Sequence, residues 1–336
     1  MGIHNKFGDL YHKHLYSHIT RGTAKITDST KYAISDIVVA LGLYSKELIV
    51  ADSVLLAGLI SYALLKNDKN LSPDLIKGFY QGGIIVGIST AGFFTNYGIN
   101  LMRTPLENKL GLELKDNIDM EKELDYTIKK LNELSKYETL SFEDVNNKVN
   151  ECIDDFVLEN EGYKVYHSKR IKKSIFSKKL IRKTLGGIMN PYLQEIIVTS
   201  EKLPEFIAHE KAHLVGYARE NEAEFVGFAS MLNSDNIYLN YLAYLIRIQR
   251  ICDHFEIKLQ DLEKRNLNTR TFDDIKLREN ELNNELSKRS RYEKSSAKID
   301  NKIHGGILKI FGQKNIEEAY FVKPLRMMSA YDPPEI

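Results

Sequence analysis

Residues 209–213 have the pattern HExxH, which could bind a metal ion. On a helix, positions i and i+4 lie on one face one turn apart, so the imidazoles of His209 and His213 can reach one tetrahedral Zn²⁺. Glu210 would then lie beside the metal, where its carboxylate can take a proton from activated water and pass it to a leaving amine. These residue types indicate zinc-dependent hydrolysis of an amide bond, with Zn²⁺ as the cofactor in a single site per chain.

A catalytic zinc site needs a third protein ligand, and the downstream sequence offers three acidic residues: Glu220, Glu222 and Glu224. A continuous helix would carry Glu220 about 10.5 Å beyond His213, so the chain must turn back. Gly216 permits the turn because glycine tolerates positive φ. We expect Glu220 to be the third ligand. Glu224 would either orient His209 from outside the coordination sphere or serve as the alternative ligand.

Further groups would hold the substrate and stabilise the transition state. An open strand edge can hold an extended peptide by main-chain pairing, and residues 187–199 are rich in β-branched and aromatic side chains. The residues expected on this substrate strand are Ile188, Tyr192 and Glu195. The candidates for donating a hydrogen bond to the charge that develops in the transition state are Tyr241, Tyr244 and Arg219. Packing or surface roles are the alternative for each of them.

The composition agrees with a folded protein. The 336 residues are 43% hydrophobic and 28% charged with a net charge of +1, which excludes disordered, collagen-like and disulfide-scaffold classes. The two cysteines, Cys152 and Cys252, form no CxxC pair and support neither a cysteine zinc site nor a disulfide framework. The near-neutral charge also argues against a nucleic-acid partner.

Two apolar runs indicate a transmembrane helical hairpin. Residues 48–65 contain one charge, Asp52, and residues 79–99 contain none, so each run approaches the roughly 20 residues that span a bilayer. A buried hairpin inside a large soluble domain is the alternative. The sequence thus predicts a multi-pass protein of the cell membrane with the lipid bilayer as a partner. Basic residues in 1–46 and 167–183 favour a cytoplasmic catalytic domain.

Other segments give expectations about local structure. Apolar periodicity predicts an amphipathic helix over 119–137, and Ser141 with Asp144 predicts the start of the next helix. Residues 263–299 are densely charged and predict a long solvated helix. The N-terminal histidines are expected to be solvated or interfacial rather than metal ligands: His4, His12, His14 and His18.

The predicted fold class is α+β and mainly helical, with a transmembrane helical hairpin followed by a zincin-like metallopeptidase domain. Residues 1–46 would form an amphipathic juxtamembrane segment and residues 47–101 the hairpin. The catalytic domain would cover 102–262, and a charged C-terminal helical region would cover 263–336.

The sequence resembles a family of bacterial multi-pass membrane proteins known as domain of unknown function 3810, which are similar to gluzincin-type HExxH peptidases. The resemblance is strongest at 209–225, HEKAHLVGYARENEAEF, and weaker over most of the chain. Other matching segments are Tyr44–Leu48, Tyr97–Leu106, Gly187–Glu195 and Tyr241–Leu245. Unlike the family, this chain has Glu224 where Asn is preferred and lacks an extra N-terminal membrane helix. That helix would place the catalytic domain outside the cell.

The predicted function is membrane-anchored, zinc-dependent peptide hydrolysis with Glu210 as general base and a peptide or protein as substrate. A non-catalytic, zinc-containing membrane sensor or scaffold is the alternative. Glu210 argues against this alternative, because a purely structural zinc site does not need a general base.

Overall fold

The computed structural model describes residues 3–16, 98–172, 187–190, 195–198, 201, 203–287 and 318–334. Within these residues the chain is mainly helical, with three short strands. The helices are α1 (Ile3–Tyr11), α2 (Leu106–Lys109), α3 (Met120–Leu134), α4 (Phe142–Glu161), α5 (Phe206–Leu214), α6 (Glu220–Leu232), α7 (Ile237–Phe255), α8 (Leu259–Leu262), α9 (Thr269–Ser287) and α10 (Lys323–Tyr331). Shorter helical turns cover His12–Tyr16, Gly98–Met102 and Glu318–Val322.

Helix α6 is the centre of the described fold. Each of its residues from Glu220 to Met231 is buried, including the large side chains of Phe225 and Phe228. A helix that is buried all round must be enclosed by other elements, and α4, α5, α7 and α10 pack against α6. The polar residues of α6 lie mostly in its first turns, so the carboxylates there need partners inside the protein.

The three strands form a small mixed sheet against the helix that carries HExxH. The strands β1 (Ile171–Lys172), β2 (Gly187–Asn190) and β3 (Glu195–Val198) have the order β1-β3-β2. Strand β1 is parallel to β3, whereas β2 is antiparallel to β3 and pairs Ile188 with Ile197. Helix α5 packs against β2 and β3. In the part of the sheet that the structure describes, β2 is therefore an edge strand beside α5.

The two helices predicted after residue 103 are confirmed. Helix α3 begins after Asp119, whose carboxylate accepts from the N–H of Lys122, and its apolar face is buried. Helix α4 begins after Ser141, whose hydroxyl accepts from the N–H of Asp144. It ends at Glu161, and the next residue, Gly162, has φ of 75°.

The predicted membrane hairpin at 47–101 falls almost entirely outside the described residues. Among the residues that the structure describes, no helix is long and apolar enough to cross a bilayer. The described structure gives the two-span topology no support, and this topology stays a prediction.

One expectation about exposure is wrong, and a second holds only in part. His12, expected to be solvated or interfacial, is completely buried, because its ring packs between Tyr16 and Tyr163. Helix α9 is the long, mostly exposed helix that the sequence predicts, but Thr271 and Arg278 on it are buried. The guanidinium of Arg278 lies 2.7 Å from the carboxylate of Glu205. In both places a polar side chain has a partner inside the fold, which the local sequence pattern does not show.

The C-terminal region is attached to the core by Arg247 of α7, whose side chain is completely buried. Its guanidinium lies 2.7 Å from the carboxylate of Glu123 and 2.8 Å from that of Asp332, and it covers the ring of Tyr126 at 5.0 Å. Residues distant in sequence thus share one buried cation.

We expect Arg247→Met to lower the free energy of unfolding by about 3–5 kcal/mol, because the carboxylate of Glu123 would stay buried without its cation. Arg265→Met is the matched control. Arg265 binds Glu121 in a largely exposed ion pair, so its loss should cost no more than about 1 kcal/mol. Chemical denaturation of both variants measures the difference, and equal losses would contradict the assigned role of Arg247.

Candidate metal centre

The HExxH helix and the following helix are joined by a tight reversal at Gly216. Helix α5 ends at Leu214, Gly216 has φ of 96°, and α6 begins at Glu220. A Cβ atom on Gly216 would overlap with Nε2 of His12, so both the positive φ and the lack of space require glycine. The reversal brings Glu220 back to the end of α5.

Three donor atoms converge where α5 meets the start of α6. Nε2 of His209 and Nε2 of His213 are 3.2 Å apart, and Oε2 of Glu220 lies 3.3 Å from the first and 3.4 Å from the second. Ligands at about 2.05 Å from a tetrahedral Zn²⁺ are separated by roughly 3.3 Å, so the triangle has the dimensions of one face of a zinc coordination sphere. Among the described residues, no other His, Cys, Asp or Glu joins this group.

The hydrogen bonds of the two imidazoles direct their lone pairs to the same point. Nδ1 of His209 lies 2.8 Å from the carboxylate of Glu224, and Nδ1 of His213 lies 2.8 Å from the carbonyl oxygen of Tyr217. Both partners are acceptors, so each ring donates from Nδ1 and its neutral form carries a lone pair on Nε2. Two lone pairs and a carboxylate oxygen then face one another, and a cation between them removes the repulsion.

Hydrogen bonds and charges within this group shift the pKa values of His209 and Glu220. Burial alone opposes protonation of His209, but hydrogen bonds to Glu220 and Glu224 raise its pKa well above the usual range. Burial alone would raise the pKa of Glu220, but the nearby charge of His213 and hydrogen bonds to both histidines hold this pKa well below the usual range. The two imidazoles therefore favour the ionised, negatively charged form of Glu220.

Glu224 is held by a cation on the side away from the triangle. Its Oε1 accepts a 2.6 Å bond from Nε of Arg250, while its Oε2 faces His209. Burial acts to raise the pKa of Glu224, but Arg250 and His209 outweigh burial and lower the pKa to about 2. A carboxylate that orients a histidine from its Nδ1 side is a common outer partner in zinc sites.

The side chain of Glu210, a residue of α5, lies against the edge strand β2. Its carboxylate accepts a hydrogen bond from the N–H of Met189, and burial raises its pKa despite the neighbouring histidines. A Cβ atom on Gly187 would lie 2.7 Å from Cγ of Glu210, so the strand approaches this side chain as closely as glycine allows. Glu210 is thus near the two histidines of the donor triangle and beside β2 without belonging to the triangle.

The predicted donors to transition-state charge have partners elsewhere. The hydroxyl of Tyr241 donates to Asp274 at 2.7 Å, and that of Tyr244 donates to Asp332 at 2.8 Å. Arg219 donates to Glu222 and to the carbonyl oxygens of two residues, Leu101 and Arg103. These hydrogen bonds give the predicted catalytic role of the three residues no support.

The substrate-strand residues divide between two strands. Ile188 lies on the edge strand β2, whereas Glu195 lies on β3 and pairs with Asn190. Tyr192 lies outside the described residues. Of the two that the structure describes, Ile188 therefore lies on the edge strand beside α5 and Glu195 does not.

Several residues around the turn were not singled out from the sequence. The side chains of Arg103, Glu161 and Tyr217 are buried around Gly216, and Arg250 of α7 donates to the carboxylate of Glu224. One available signal was the resemblance of Tyr97–Leu106 to a family segment, which includes Arg103. Tyr217 lies within the matching segment 209–225, whereas Glu161 and Arg250 lie far from HExxH in sequence and have no distinctive spacing.

Comparison with known proteins identifies the family. A model for "Protein of unknown function (DUF3810)" matches residues 11–320 of the chain. The chain belongs to this family. Neither a curated protein nor a solved structure matches the chain. Membership agrees with the resemblance noted above but assigns no activity, cofactor or substrate.

The geometry separates the expected effects of two glutamates on metal binding. Glu220→Gln should weaken zinc binding much more than Glu224→Gln, because only Glu220 contributes an oxygen to the donor triangle. The loss for Glu224→Gln should be roughly 10- to 100-fold, as for other partners outside the coordination sphere. Competition with a chromophoric chelator measures both affinities. A larger loss in Glu224→Gln would make Glu224 the ligand.

Proposed function

We propose that this chain is a membrane-anchored, zinc-dependent metallopeptidase. The observation that carries the proposal is the convergence of His209, His213 and Glu220 within 4.8 Å of one another, with Glu210 next to them in the chain. Two histidines and one carboxylate are the protein ligands of a catalytic type of zinc site. The fourth position of such a site is left to water or substrate.

The donor set fits Zn²⁺ better than the harder divalent cations. Two imidazole nitrogens and one carboxylate oxygen suit zinc, whereas Mg²⁺ and Ca²⁺ prefer a shell made of oxygen ligands. The triangle sides of 3.2–3.4 Å support the same assignment. His209 and Glu220 keep 13% and 12% of their side chains exposed, so the group is not sealed from solvent.

Zn²⁺, when bound, supplies a Lewis acid that activates water and polarises a carbonyl group. Glu210 takes the proton of the attacking water on its carboxylate and delivers it to the nitrogen of the leaving amine. Glu224 and the carbonyl oxygen of Tyr217 keep the histidine rings in the orientation that directs Nε2 to the metal. Gly187 leaves the space that the Glu210 side chain occupies.

Strand β2 is the proposed binding surface for the peptide. It is one of the two edge strands of the described sheet, and it runs antiparallel to β3. It packs against α5, where the N–H of Met189 donates to the carboxylate of Glu210. An extended peptide that adds to this edge would run beside the HExxH helix. Main-chain pairing of this kind holds many sequences, so the strand supports a peptide substrate without specifying its side chains.

The membrane anchor is proposed from sequence alone. Residues 48–65 and 79–99 have the length and apolar character of two spans. The described segments on either side of them, 3–16 and 98–106, both contact the 214–219 turn. An anchor at 47–101 would therefore continue in the chain directly into a segment that contacts this turn.

Glu210→Gln should keep about one zinc per chain and abolish peptide hydrolysis, because the side chain moves a proton and does not coordinate the metal. Metal content by atomic emission and cleavage of a casein or peptide library measure the two effects. His213→Ala should lose both zinc and activity, whereas Glu201→Gln at an exposed site should lose neither.

Two results would overturn this proposal in different ways. Full activity in Glu210→Gln would remove the general-base mechanism. Bound zinc without any hydrolysis by the wild-type protein would favour the sensor or scaffold.

The proposed topology predicts that residue 70, in the connector between the two spans, lies on the opposite side of the membrane from the catalytic domain. Asn70→Cys, in a variant without Cys152 and Cys252, should react with an impermeant maleimide from outside intact cells if the catalytic domain is cytoplasmic. Reaction only after permeabilisation would place the catalytic domain outside. Recovery of the whole protein in the soluble fraction would contradict the anchor.

A further inference from the structure

The end of the HExxH helix is capped by side chains that come from distant parts of the chain. The last carbonyl groups of an α-helix have no partner within the helix and must find other donors. Helix α5 ends at Leu214, and backbone N–H groups of the turn satisfy the carbonyls of Lys211, Ala212 and His213. The next three carbonyls, of Leu214, Val215 and Gly216, accept from side chains instead. Their donors come from residues 12–16 and from residue 103, which precede and follow the predicted membrane hairpin.

Two buried residues of the N-terminal segment provide the first part of the cap. Nε2 of His12 lies 2.7 Å from the carbonyl oxygen of Val215, and the hydroxyl of Tyr16 donates to that of Leu214 at 2.8 Å. A carbonyl oxygen only accepts, so Nε2 of His12 carries the proton and Nδ1 accepts from the hydroxyl of Tyr163. The contacts of His12 therefore fix its ring at the turn.

Arg103 provides the second part of the cap. It donates to the carbonyl oxygen of Gly216 at 2.9 Å, forms a buried ion pair with Glu161, and covers the ring of Tyr217 at 4.9 Å. Its own carbonyl oxygen accepts from Arg219 at 2.8 Å. Arg103 thus contacts the turn at both ends, and its positive charge lies at the negative end of the α5 dipole.

The capped turn directly positions two of the three proposed metal ligands. The carbonyl oxygen of Tyr217 accepts from Nδ1 of His213, and Glu220 is the residue after Arg219. A shift of the turn would move the acceptor that orients His213 and also the start of α6. Neither His12 nor Arg103 belongs to the donor triangle, so any influence on the metal must act through this turn.

We propose that His12 and Arg103 are positioning residues of the metal centre, through which the segments on either side of residues 17–97 set its zinc affinity. This inference rests on the proposed zinc site but not on peptide hydrolysis. It gives the N-terminal segment a function in metal binding, beyond the juxtamembrane position that the sequence predicts.

The test compares zinc affinities of the full-length protein and its variants by competition with a chromophoric chelator. His12→Leu removes the donor to Val215, while His12→Gln can keep a donor near the Nε2 position. Arg103→Lys keeps the charge beside Glu161 but cannot reproduce the geometry of the guanidinium. Arg247→Lys is the matched control, because Arg247 is equally buried, pairs with carboxylates and covers a tyrosine ring.

We expect His12→Leu and Arg103→Lys to weaken zinc binding about 10-fold or more, the range of partners outside a coordination sphere. His12→Gln should recover most of the affinity, and Arg247→Lys should stay within about threefold of wild type. Replacement of zinc by Co²⁺ adds a readout that general destabilisation does not change. The visible absorption band reports coordination geometry and should change only in His12→Leu and Arg103→Lys.

The possible failures are distinguishable. No metal binding by the wild-type protein would overturn the proposed zinc site and this inference with it. Wild-type affinity and an unchanged cobalt band in His12→Leu and Arg103→Lys would overturn the positioning role alone. Equal weakening in Arg247→Lys would also overturn it, since the effect would then follow from loss of any buried arginine contact.

Discussion

The organisation of the described fold depends on how the carboxylates at the start of a completely buried helix are satisfied. Helix α6 has protein on all sides, and a buried carboxylate is costly without a cation or donors. The carboxylate of Glu222 accepts hydrogen bonds from Arg219 and from the N–H of Leu106. The carboxylate of Glu224 accepts from Arg250 and His209. Glu220 faces two imidazoles, and this arrangement has the dimensions of a zinc site.

The same constraint links distant parts of the chain. The hydrogen-bond donors to the carboxylates at the start of α6 come from α5, from α7 and from the segment after the predicted hairpin. At two other places a buried arginine, Arg103 or Arg247, pairs with carboxylates and packs against a tyrosine ring. Removing one member of such a group leaves another charge buried, so the groups constrain one another's positions.

The edge strand adds a second constraint near the proposed site. Strand β2 approaches Glu210 so closely that residue 187 has no room for a side chain. This contact holds the carboxylate between the sheet and α5, where a peptide added to the strand would pass. The position of Glu210 therefore depends on the packing of a strand against a helix as well as on its place in HExxH.

The elements of the site follow from the sequence because their causes are local. The i and i+4 spacing puts His209 and His213 on one helix face, and a glycine at 216 permits the reversal that returns residue 220 to that face. The helix starts at Asp119 and Ser141 follow from side-chain capping, which also acts within a few residues. Membership of the family is determined by the sequence as well.

Tertiary structure alone decided how polar side chains from distant segments were paired. Nothing near His12 in the sequence indicates that its ring would be buried against Val215, about two hundred residues away. Likewise, the spacing of Tyr241, Tyr244 and Arg219 left open which acceptors they would meet, and they bind Asp274, Asp332 and the segment around Arg103. Local spacing determines which side chains share a helix face. The partner of a buried polar group is whichever complementary group the packing of the whole chain brings within hydrogen-bond distance.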